Sequence, residues 1–324
     1  MREKLVDVGY AAGWGAVKLL PEPLVRRLGE QVADSTWRRQ GKGVRQLERN
    51  LARVRPQATA AELRELSRAG MRSYLRYWTE SFRLPVWNDR TIADRIVVDG
   101  IEHLTGAMDA GRGAVIALPH MANWDHAGAW VVRHLGYNFT TVAERLKPES
   151  LFDRFVAYRE GLGMEVLPLT GGGVSVIGTL ARRLRAGKLI CLVGDRDLSD
   201  AGLPVQFFGE TTKMPAGPAA LALRTGAALM PVTLWYEGPV MRGTINAPIE
   251  VPQVEDQRQA TALMTQAMAD IWARGIAEHP QDWHMLQKFW LADLPAAKAA
   301  PAAAAGGPAA GDASAGGAEP REKV

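Results

Sequence analysis

Apolar residues in the first eighty positions recur every three or four residues, and this spacing predicts helices across residues 1–82. Two of these segments, at residues 25–37 and 44–54, are rich in arginine. Thr59 and Glu62 have the spacing of a capping box, which predicts the start of a further helix. That helix has an aromatic stripe at helical spacing, and such stripes most often face a core.

From residue 95 onward, short apolar runs alternate with helical stretches. The runs that predict buried strands lie at residues 96–98, 114–118, 139–143, 165–169 and 189–193. Helical stretches are predicted between them near residues 101–110, 124–135, 148–162 and 174–186, with a long helix at 257–278. The alternation predicts an α/β fold, with a mostly parallel central sheet flanked by helices and preceded by the N-terminal helical segment.

These patterns divide the chain into three parts. Residues 1–82 form the basic helical segment, residues 83–294 form the α/β core, and residues 295–324 form a tail made mostly of alanine, glycine and proline. The tail has too few large apolar residues to offset the entropy of ordering, so we predict that it is disordered.

Positive charge is concentrated near the N-terminus. Residues 1–54 contain eleven lysine and arginine residues and six aspartate and glutamate residues. Their net charge of +5 (11 − 6) exceeds the net charge of +4 for the whole chain. Such a segment is typical of a protein that contacts an anionic surface, either lipid headgroups or nucleic acid, although a solvated helical face has the same pattern. The single cysteine, Cys191, excludes a disulfide framework and favours a reducing compartment. We expect no transmembrane helix, because no apolar run is long enough, and we expect a cytoplasmic protein.

The segment VIALPHMANWDHAG contains the first candidate chemistry. A predicted strand ends at Leu118, and His120 follows at the edge of the sheet where open α/β folds place their ligands. Asp125, five residues later, is close enough across the turn to orient the imidazole. A histidine held in this way can accept a proton from a substrate hydroxyl, as acyl transfer to an alcohol requires.

Other interpretations of this segment remain open. Asp125 can instead cap a helix, with His120 as a turn residue. His120, Asp125 and His126 can be considered as metal ligands, but the remaining histidines lack the spacing of a zinc site, so we expect no metal. Gly171, Gly172 and Gly173 precede a helix without matching a phosphate-binding motif, which favours a plain loop.

A second candidate segment follows the strand at residues 189–193, where Asp195, Arg196 and Asp197 lie at the same edge. These side chains can orient a polar acceptor or hold an anionic group, or they can form a buried ion pair under a loop. Phe207 and Phe208, with the segment at residues 215–218, are candidates for an apolar wall along an acyl chain.

Together these segments resemble the lysophospholipid acyltransferase superfamily over roughly residues 10–292, especially its lipid A lauroyl and myristoyl acyltransferase branch. The H-x4-D motif, FFGE and PAGPAALALRTGA carry the resemblance. HMANWDHAGAW and QDWHMLQKFWLADL look like the actinobacterial phosphatidylinositol mannoside acyltransferases.

The resemblance implies a catalytic group of three residues. His120 is the general base, and Asp125 is its orienting partner. Asp195 is a further acid, at a position where some relatives have glutamate.

The resemblance also implies a substrate-binding set. It consists of Glu144 and Arg159 around the acceptor and the thioester, Arg196 as an anion contact, and Asn123 and Trp124 in HMANWDHAGAW.

For the substrates, the resemblance implies transfer of a fatty acyl group, usually palmitoyl, from acyl-CoA to a mannose hydroxyl of phosphatidylinositol mannoside. The enzyme would work as a peripheral protein on anionic lipid at the cytoplasmic face of the membrane, without a cofactor and without nucleic acid. Two alternatives stay open: another lipid acceptor, such as a lipid A-type sugar or glycerol phosphate, and a non-catalytic lipid-binding protein.

Overall fold

The N-terminal part of the chain folds into a layer of helices, as the spacing predicts. The computed structural model describes residues 15, 17–145, 149–170, 175–197 and 201–294. The N-terminal helices are α1 (Glu22–Arg38), α2 (Lys42–Val54), α3 (Ala60–Arg83) and the short α4 (Asp89–Asp94), with a 3-10 turn at Leu84–Val86. The predictions for residues 1–14 and for the tail at 295–324 fall outside the described residues.

Helix α3 begins with the capping box that the sequence predicts. The backbone N–H of Glu62 donates to Thr59 Oγ1 at 3.3 Å, and the backbone N–H of Thr59 donates to Glu62 Oε2 at 2.7 Å. These two bonds satisfy donors that the first turn of a helix leaves free, so the prediction is confirmed.

The centre of the protein is a seven-stranded, mostly parallel sheet, which confirms the predicted fold class. Its strand order is β1-β9-β8-β2-β5-β3-β4, and β9 runs antiparallel to β8. The nine strands of the described chain are β1 (Ile96–Asp99), β2 (Ala114–Leu118), β3 (Phe139–Ala143), β4 (Glu165–Pro168), β5 (Leu189–Val193), β6 (Leu203–Phe207), β7 (Glu210–Met214), β8 (Ala228–Glu237) and β9 (Val240–Ile245).

Helices cover both faces of this sheet. They are α5 (Ile101–Asp109), α6 (Trp124–Arg133), α7 (Glu149–Gly161), α8 (Val176–Arg185), α9 (Gly217–Thr225) and α10 (Gln257–Glu278). Helix α5 contacts β2, β8 and β9, α8 contacts β5, and α9 contacts β2 and β8 and packs against α10. Strand β2, at the centre, is therefore buried at all five positions.

Strands β6 and β7 form a separate antiparallel hairpin. Its two-residue turn consists of Phe208 and Gly209, which have φ angles of 51° and 80°. Positive φ at both turn positions matches the twist of paired strands, which explains how FFGE makes a tight turn. The sequence analysis did not predict this hairpin.

Beyond α10, residues 280–294 run back across the molecule and are held by α2. Asn50 is fully buried and donates from Nδ2 to the backbone carbonyls of Met285 and Gln287, at 2.8 and 2.9 Å. Arg53 makes two bonds to the Asp293 carboxylate, at 2.8 and 3.0 Å. The N-terminal helices thus fix the position of the C-terminal segment.

We predict that Asn50→Ala lowers the free energy of unfolding by about 1–3 kcal/mol, because it leaves the carbonyl oxygen of buried Met285 without its donor and removes the bond to the carbonyl of Gln287. Urea unfolding measures the loss. Asn138→Ala, at an exposed position, is the control and should change the free energy of unfolding by less than about 0.5 kcal/mol. Equal effects of the two substitutions would show that Asn50 does not hold the segment.

Candidate active site

The site lies at the turn between β2 and α6. Helix α6 begins after Asn123, whose side chain accepts a hydrogen bond from the backbone N–H of His126 at 3.0 Å. Ala122, just before this cap, is fully buried and has a φ angle of 44°, in the left-handed region that side chains other than glycine rarely adopt. Strained backbone of this kind is common at functional sites.

His120 pairs with Asp195 because their strands are neighbours. In the parallel pairing of β2 with β5, Leu118 is opposite Val193, so the residues two positions further along meet beyond the sheet edge. His120 Nδ1 lies 2.5 Å from Asp195 Oδ1, and the backbone N–H of His120 donates to Asp195 Oδ2 at 3.0 Å. The register of two strands therefore builds the pair.

The Asp195 carboxylate is fully buried, and three hydrogen-bond donors surround it. The third donor is the indole N–H of Trp283, 3.0 Å from Oδ2. Burial by itself would raise the pKa of Asp195, but the charge of the His120 side chain and these hydrogen bonds outweigh burial and hold the pKa below its usual value. Asp195 is therefore a carboxylate at neutral pH.

This carboxylate fixes the role of each nitrogen on the His120 ring. An ionised carboxylate can only accept hydrogen bonds, so Nδ1 carries the proton in the neutral imidazole. Nε2 is then the acceptor, and no residue in the described part of the chain donates to it. With 31% of its side chain exposed, His120 can accept a proton from a bound substrate.

Asp125 is not the partner of His120, and this sequence-based prediction is wrong about the contact. The Asp125 carboxylate accepts from Arg159 Nε at 2.8 Å and from the Tyr77 hydroxyl at 3.0 Å. Its position on the first turn of α6 directs it to these groups instead of to the imidazole. The H-x4-D spacing therefore predicted a pairing that the structure does not show.

Asp125, Arg159 and Tyr77 form a second buried polar group beside the first. Burial would lower the pKa of Arg159, but the Asp125 carboxylate outweighs it and raises that pKa. Burial, and then the Asp125 charge, raise the pKa of the Tyr77 hydroxyl well above its usual value. Both side chains therefore keep their protons, and the group is a fixed ion pair with a neutral donor.

Trp124 connects the two polar groups. Its ring stacks on Tyr77 with centroids 4.1 Å apart, and it contacts the His120 ring edge-on at 5.3 Å. The structure therefore places Trp124 next to the imidazole, where the sequence analysis puts a substrate contact.

Asn123 has a different role from the one predicted. It is fully buried, and besides capping α6 it donates from Nδ2 to Glu80 Oε2 at 3.3 Å. The Asn123 amide is thus engaged with protein groups on both sides. We correct its assignment from substrate binding to holding the turn.

Glu144 and Arg196 lie at the rim of the site, just past the ends of β3 and β5. Glu144 Oε2 is 3.8 Å from Arg196 Nη2, and about half of the Glu144 side chain is exposed. The structure thus brings these two predicted residues together, as an exposed ion pair near Asp195.

The metal interpretation of this segment gains no support from the geometry. The His126 ring is buried and its Nε2 lies 2.9 Å from the carbonyl oxygen of Ile92, while burial lowers its pKa. Within the described ranges, no group of three or more histidine, cysteine, aspartate and glutamate side chains is arranged as a metal site. Gly171–Gly173 fall outside the described residues.

An apolar cavity of about 90 Å³ lies between α6 and the sheet, and it is lined by Leu118 and Val193, which precede His120 and Asp195 by two residues. Its described lining includes Trp124, Gly128 and Val131 from α6 and Leu118, Thr141 and Val193 from the strands. Because α6 runs away from the site, Val131 lies about 9 Å deeper than Asp125.

Phe207 and Phe208 do not line this cavity, so the predicted apolar wall is misplaced. Phe207 is buried against Trp283, Phe289 and Trp290, on the hairpin side of the C-terminal segment. The apolar cavity is instead bordered by helix α6.

Two residues of the site were missed by the sequence analysis. Trp283 was noted only as part of QDWHMLQKFWLADL, and Tyr77 lies in the aromatic segment of α3 that was assigned to the core. The frequency of aromatic residues in these two segments was the available signal. It does not indicate which ring donates a hydrogen bond to the Asp195 carboxylate.

A histidine–carboxylate pair at the carboxyl edge of a parallel sheet, beside an apolar cavity, defines an enzyme site suited to acyl transfer. The chain belongs to the family described as bacterial lipid A biosynthesis acyltransferases, which it matches over residues 3–292. It is therefore an acyltransferase, as the resemblance implies.

Among curated relatives, the chain is 49% identical to the phosphatidylinositol mannoside acyltransferase of Mycolicibacterium smegmatis, over 90% of this chain and 93% of that protein. It is 50% identical to the enzyme of the same name from Mycobacterium tuberculosis, over 89% of each chain. A solved structure, the 1-acyl-sn-glycerophosphate acyltransferase PlsC of Thermotoga maritima, matches with 16% identity and a TM-score of 0.36, over 65% of this chain and 87% of that one.

Proposed function

We propose that this enzyme transfers a fatty acyl group, such as palmitoyl, from acyl-CoA to a mannose hydroxyl of phosphatidylinositol mannoside. Acyl transfer is supported by the His120–Asp195 pair beside the apolar cavity. The acceptor is supported by about half identity to relatives with that name over nearly the whole chain. His120 acts as general base, and Asp195 is its partner.

In the proposed reaction, Nε2 of His120 accepts the proton of the mannose hydroxyl while its oxygen attacks the thioester carbonyl carbon. The imidazole becomes an imidazolium, and the Asp195 carboxylate at 2.5 Å from Nδ1 stabilises the new positive charge. Asp195 keeps its negative charge throughout, because its three donors lower its pKa.

The tetrahedral adduct then collapses. The carbon–sulfur bond breaks, the CoA sulfur leaves with the bonding electrons, and the imidazolium returns its proton to that sulfur. The products are the mannose ester and free CoA, and His120 is again neutral. The proposed reaction forms no covalent intermediate with the enzyme.

The cavity is the proposed site of the acyl chain. Its described lining is apolar except for Asp125, Arg159 and Thr141, and the Asp125–Arg159 pair lies at the end next to the reacting groups. An acyl chain entering beside Trp124 would pass Gly128 and leave its carbonyl carbon near His120. The apolar area that the chain buries would then contribute to binding the thioester.

We propose that the protein works as a peripheral protein on anionic lipid, at the cytoplasmic face of the membrane. Large apolar side chains are exposed on α1 at four-residue intervals: Leu24, Leu28 and Val32 are 44%, 43% and 52% exposed. They share one face of the helix, and exposed Arg26 and Arg27 are on the same helix. In the described part of the chain, no helix is long and apolar enough to cross a membrane.

For catalysis, we predict that His120→Ala lowers acceptor-dependent release of CoA from palmitoyl-CoA by about 10²- to 10⁴-fold, because the general base is lost. The assay follows free CoA with and without phosphatidylinositol mannoside. His103→Ala, in α5, is the matched control and should keep wild-type rates.

The acceptor is tested in the same assay with a lipid A-type sugar and glycerol phosphate in place of the mannolipid. Faster turnover with either compound would reject the mannolipid proposal. Unchanged turnover in His120→Ala would reject the base. Binding of lipids without any thioester turnover by the wild type would favour a non-catalytic lipid-binding protein.

For the cavity, we predict that Gly128→Ala lowers the ratio of palmitoyl to octanoyl transfer by about threefold to tenfold. A Cβ atom at Gly128 would lie 2.7 Å from Met164 Cε and 3.0 Å from Phe139 Cζ, so the methyl group narrows the cavity. Gly106→Ala is the control, because a Cβ there meets no atom within 4 Å. An unchanged ratio in folded Gly128→Ala would show that the chain lies elsewhere.

For the membrane surface, we predict that the triple change of Leu24, Leu28 and Val32 to serine weakens binding to phosphatidylinositol-containing vesicles at least tenfold. Each half-exposed side chain is worth about 1 kcal/mol when it enters the lipid. Co-sedimentation measures binding. The control changes Val97, Val251 and Leu263, which are 43%, 48% and 45% exposed elsewhere, and should bind as the wild type does. Equal losses in the two triple variants would reject α1 as the contact.

A further inference from the structure

The C-terminal segment that crosses the molecule is in contact with the catalytic turn along its backbone. The N–H of Ala122 donates to the carbonyl of Asp282 at 2.9 Å, and the N–H of His284 donates to the carbonyl of His120 at 2.8 Å. Met121 and Trp283 form an antiparallel bridge between these two bonds. The left-handed conformation of Ala122 is therefore held by a segment more than 150 residues away in the sequence.

From this segment, the Trp283 side chain reaches the carboxylate that orients His120. Its indole N–H and the backbone N–H of His120 both donate to Oδ2 of Asp195, each at 3.0 Å. With Oδ2 held from two directions, the carboxylate cannot rotate, and Oδ1 stays directed at Nδ1 of His120. Trp283 is fully buried, so water does not replace its N–H in the folded protein.

We propose that Trp283 is a positioning residue of the reaction, which holds the Asp195 carboxylate in the orientation that His120 needs. The inference rests on the proposed function, in which His120 is the general base. It makes the C-terminal segment part of the catalytic machinery, where the sequence analysis assigned no role to any of its residues.

The chemistry of an indole suits this position. Its N–H is a donor only, so it has no lone pair that would compete with the carboxylate for the proton on Nδ1. It is also uncharged, so it holds Asp195 without cancelling the negative charge that stabilises the imidazolium. A lysine or arginine donor at the same place would reduce that charge, because the site is buried and the local dielectric is low.

The neighbouring imidazole does not compete with His120 for this role. Burial, and then the nearby His120, lower the pKa of His284 to about 3, so this ring stays neutral. Its Nε2 lies 2.9 Å from Ser73 Oγ, and Ser73 in turn donates to Asp282 Oδ1 at 2.6 Å. His284 is therefore tied to α3, and of the two rings only His120 is paired with a carboxylate in the described chain.

The protein contains a matched control for Trp283. Trp290 is also fully buried, its ring centroid lies 6.0 Å from that of Trp283, and its indole N–H donates to the carbonyl of Phe207 at 2.9 Å. W283F and W290F thus remove the same atoms from the same aromatic cluster. Only W283F removes a hydrogen bond to Asp195.

The test compares kcat and KM of the two variants in acceptor-dependent CoA release from palmitoyl-CoA. We expect W283F to lower kcat by about 10- to 100-fold, as for loss of a hydrogen bond to a charged group, with KM for both substrates within about twofold of wild type. W290F should keep kcat within about threefold, although both variants lose stability. Equal kcat values in the two variants would overturn the proposal.

A double-mutant cycle separates positioning from packing. In the background of Asp195→Asn, W283F should lower kcat no further, because its partner is already gone, whereas W290F should have the same small effect as before. Additive losses for W283F and Asp195→Asn would overturn the proposal. If W283F does not fold, incorporation of 3-benzothienylalanine at position 283 replaces the N–H by sulfur at the same shape, and the same loss of kcat is expected.

These results remain distinct from a failure of the proposed function. If wild-type protein transfers no acyl group to any acceptor, the function is wrong and Trp283 has no reaction to serve. If the wild type is active and W283F behaves as W290F does, the function stands and the positioning role is rejected.

Discussion

The site depends on one buried negative charge. Asp195 has no contact with solvent, and taking an ionised carboxylate out of water costs several kcal/mol unless its oxygens find donors. Here the His120 ring, the His120 backbone and Trp283 supply them. Because the three regions of chain involved are the ends of β2 and β5 and the C-terminal segment, the pair can form only when the whole core is assembled.

Asp195 and Asp125 both lie near His120, but they have different hydrogen-bond partners and therefore different roles. Asp195 is paired with an imidazole that is partly exposed, which the proposed function uses to accept the proton of the substrate. Asp125 is paired with Arg159, whose pKa is raised, and with a tyrosine that keeps its proton. The Asp125 carboxylate is thus engaged by two donors and has no contact with the imidazole. Asp125 and Arg159 form the charged part of the lining of the apolar cavity.

Contacts between distant parts of the chain hold the His120–Asp195 pair in place. Helix α2 holds the C-terminal segment through Asn50 and Arg53, and that segment holds the catalytic turn and the Asp195 carboxylate. The N-terminal helical layer, whose exposed α1 stripe is proposed to contact lipid, is therefore connected through the C-terminal segment to the His120–Asp195 pair. A site built in this way keeps its geometry only when both ends of the folded chain are in place.

The sequence by itself determined the class of fold, most element positions and two of the three catalytic candidates at the correct sheet edge. Local patterns suffice for these, because strand and helix periods and capping residues act over a few positions. It did not determine which carboxylate meets His120, since that depends on β2 and β5 being neighbours in a sheet whose strand order differs from the chain order. Nor did it determine the contacts of Asn123 or Trp283, because a buried side chain takes its role from partners that only tertiary packing brings within hydrogen-bonding distance.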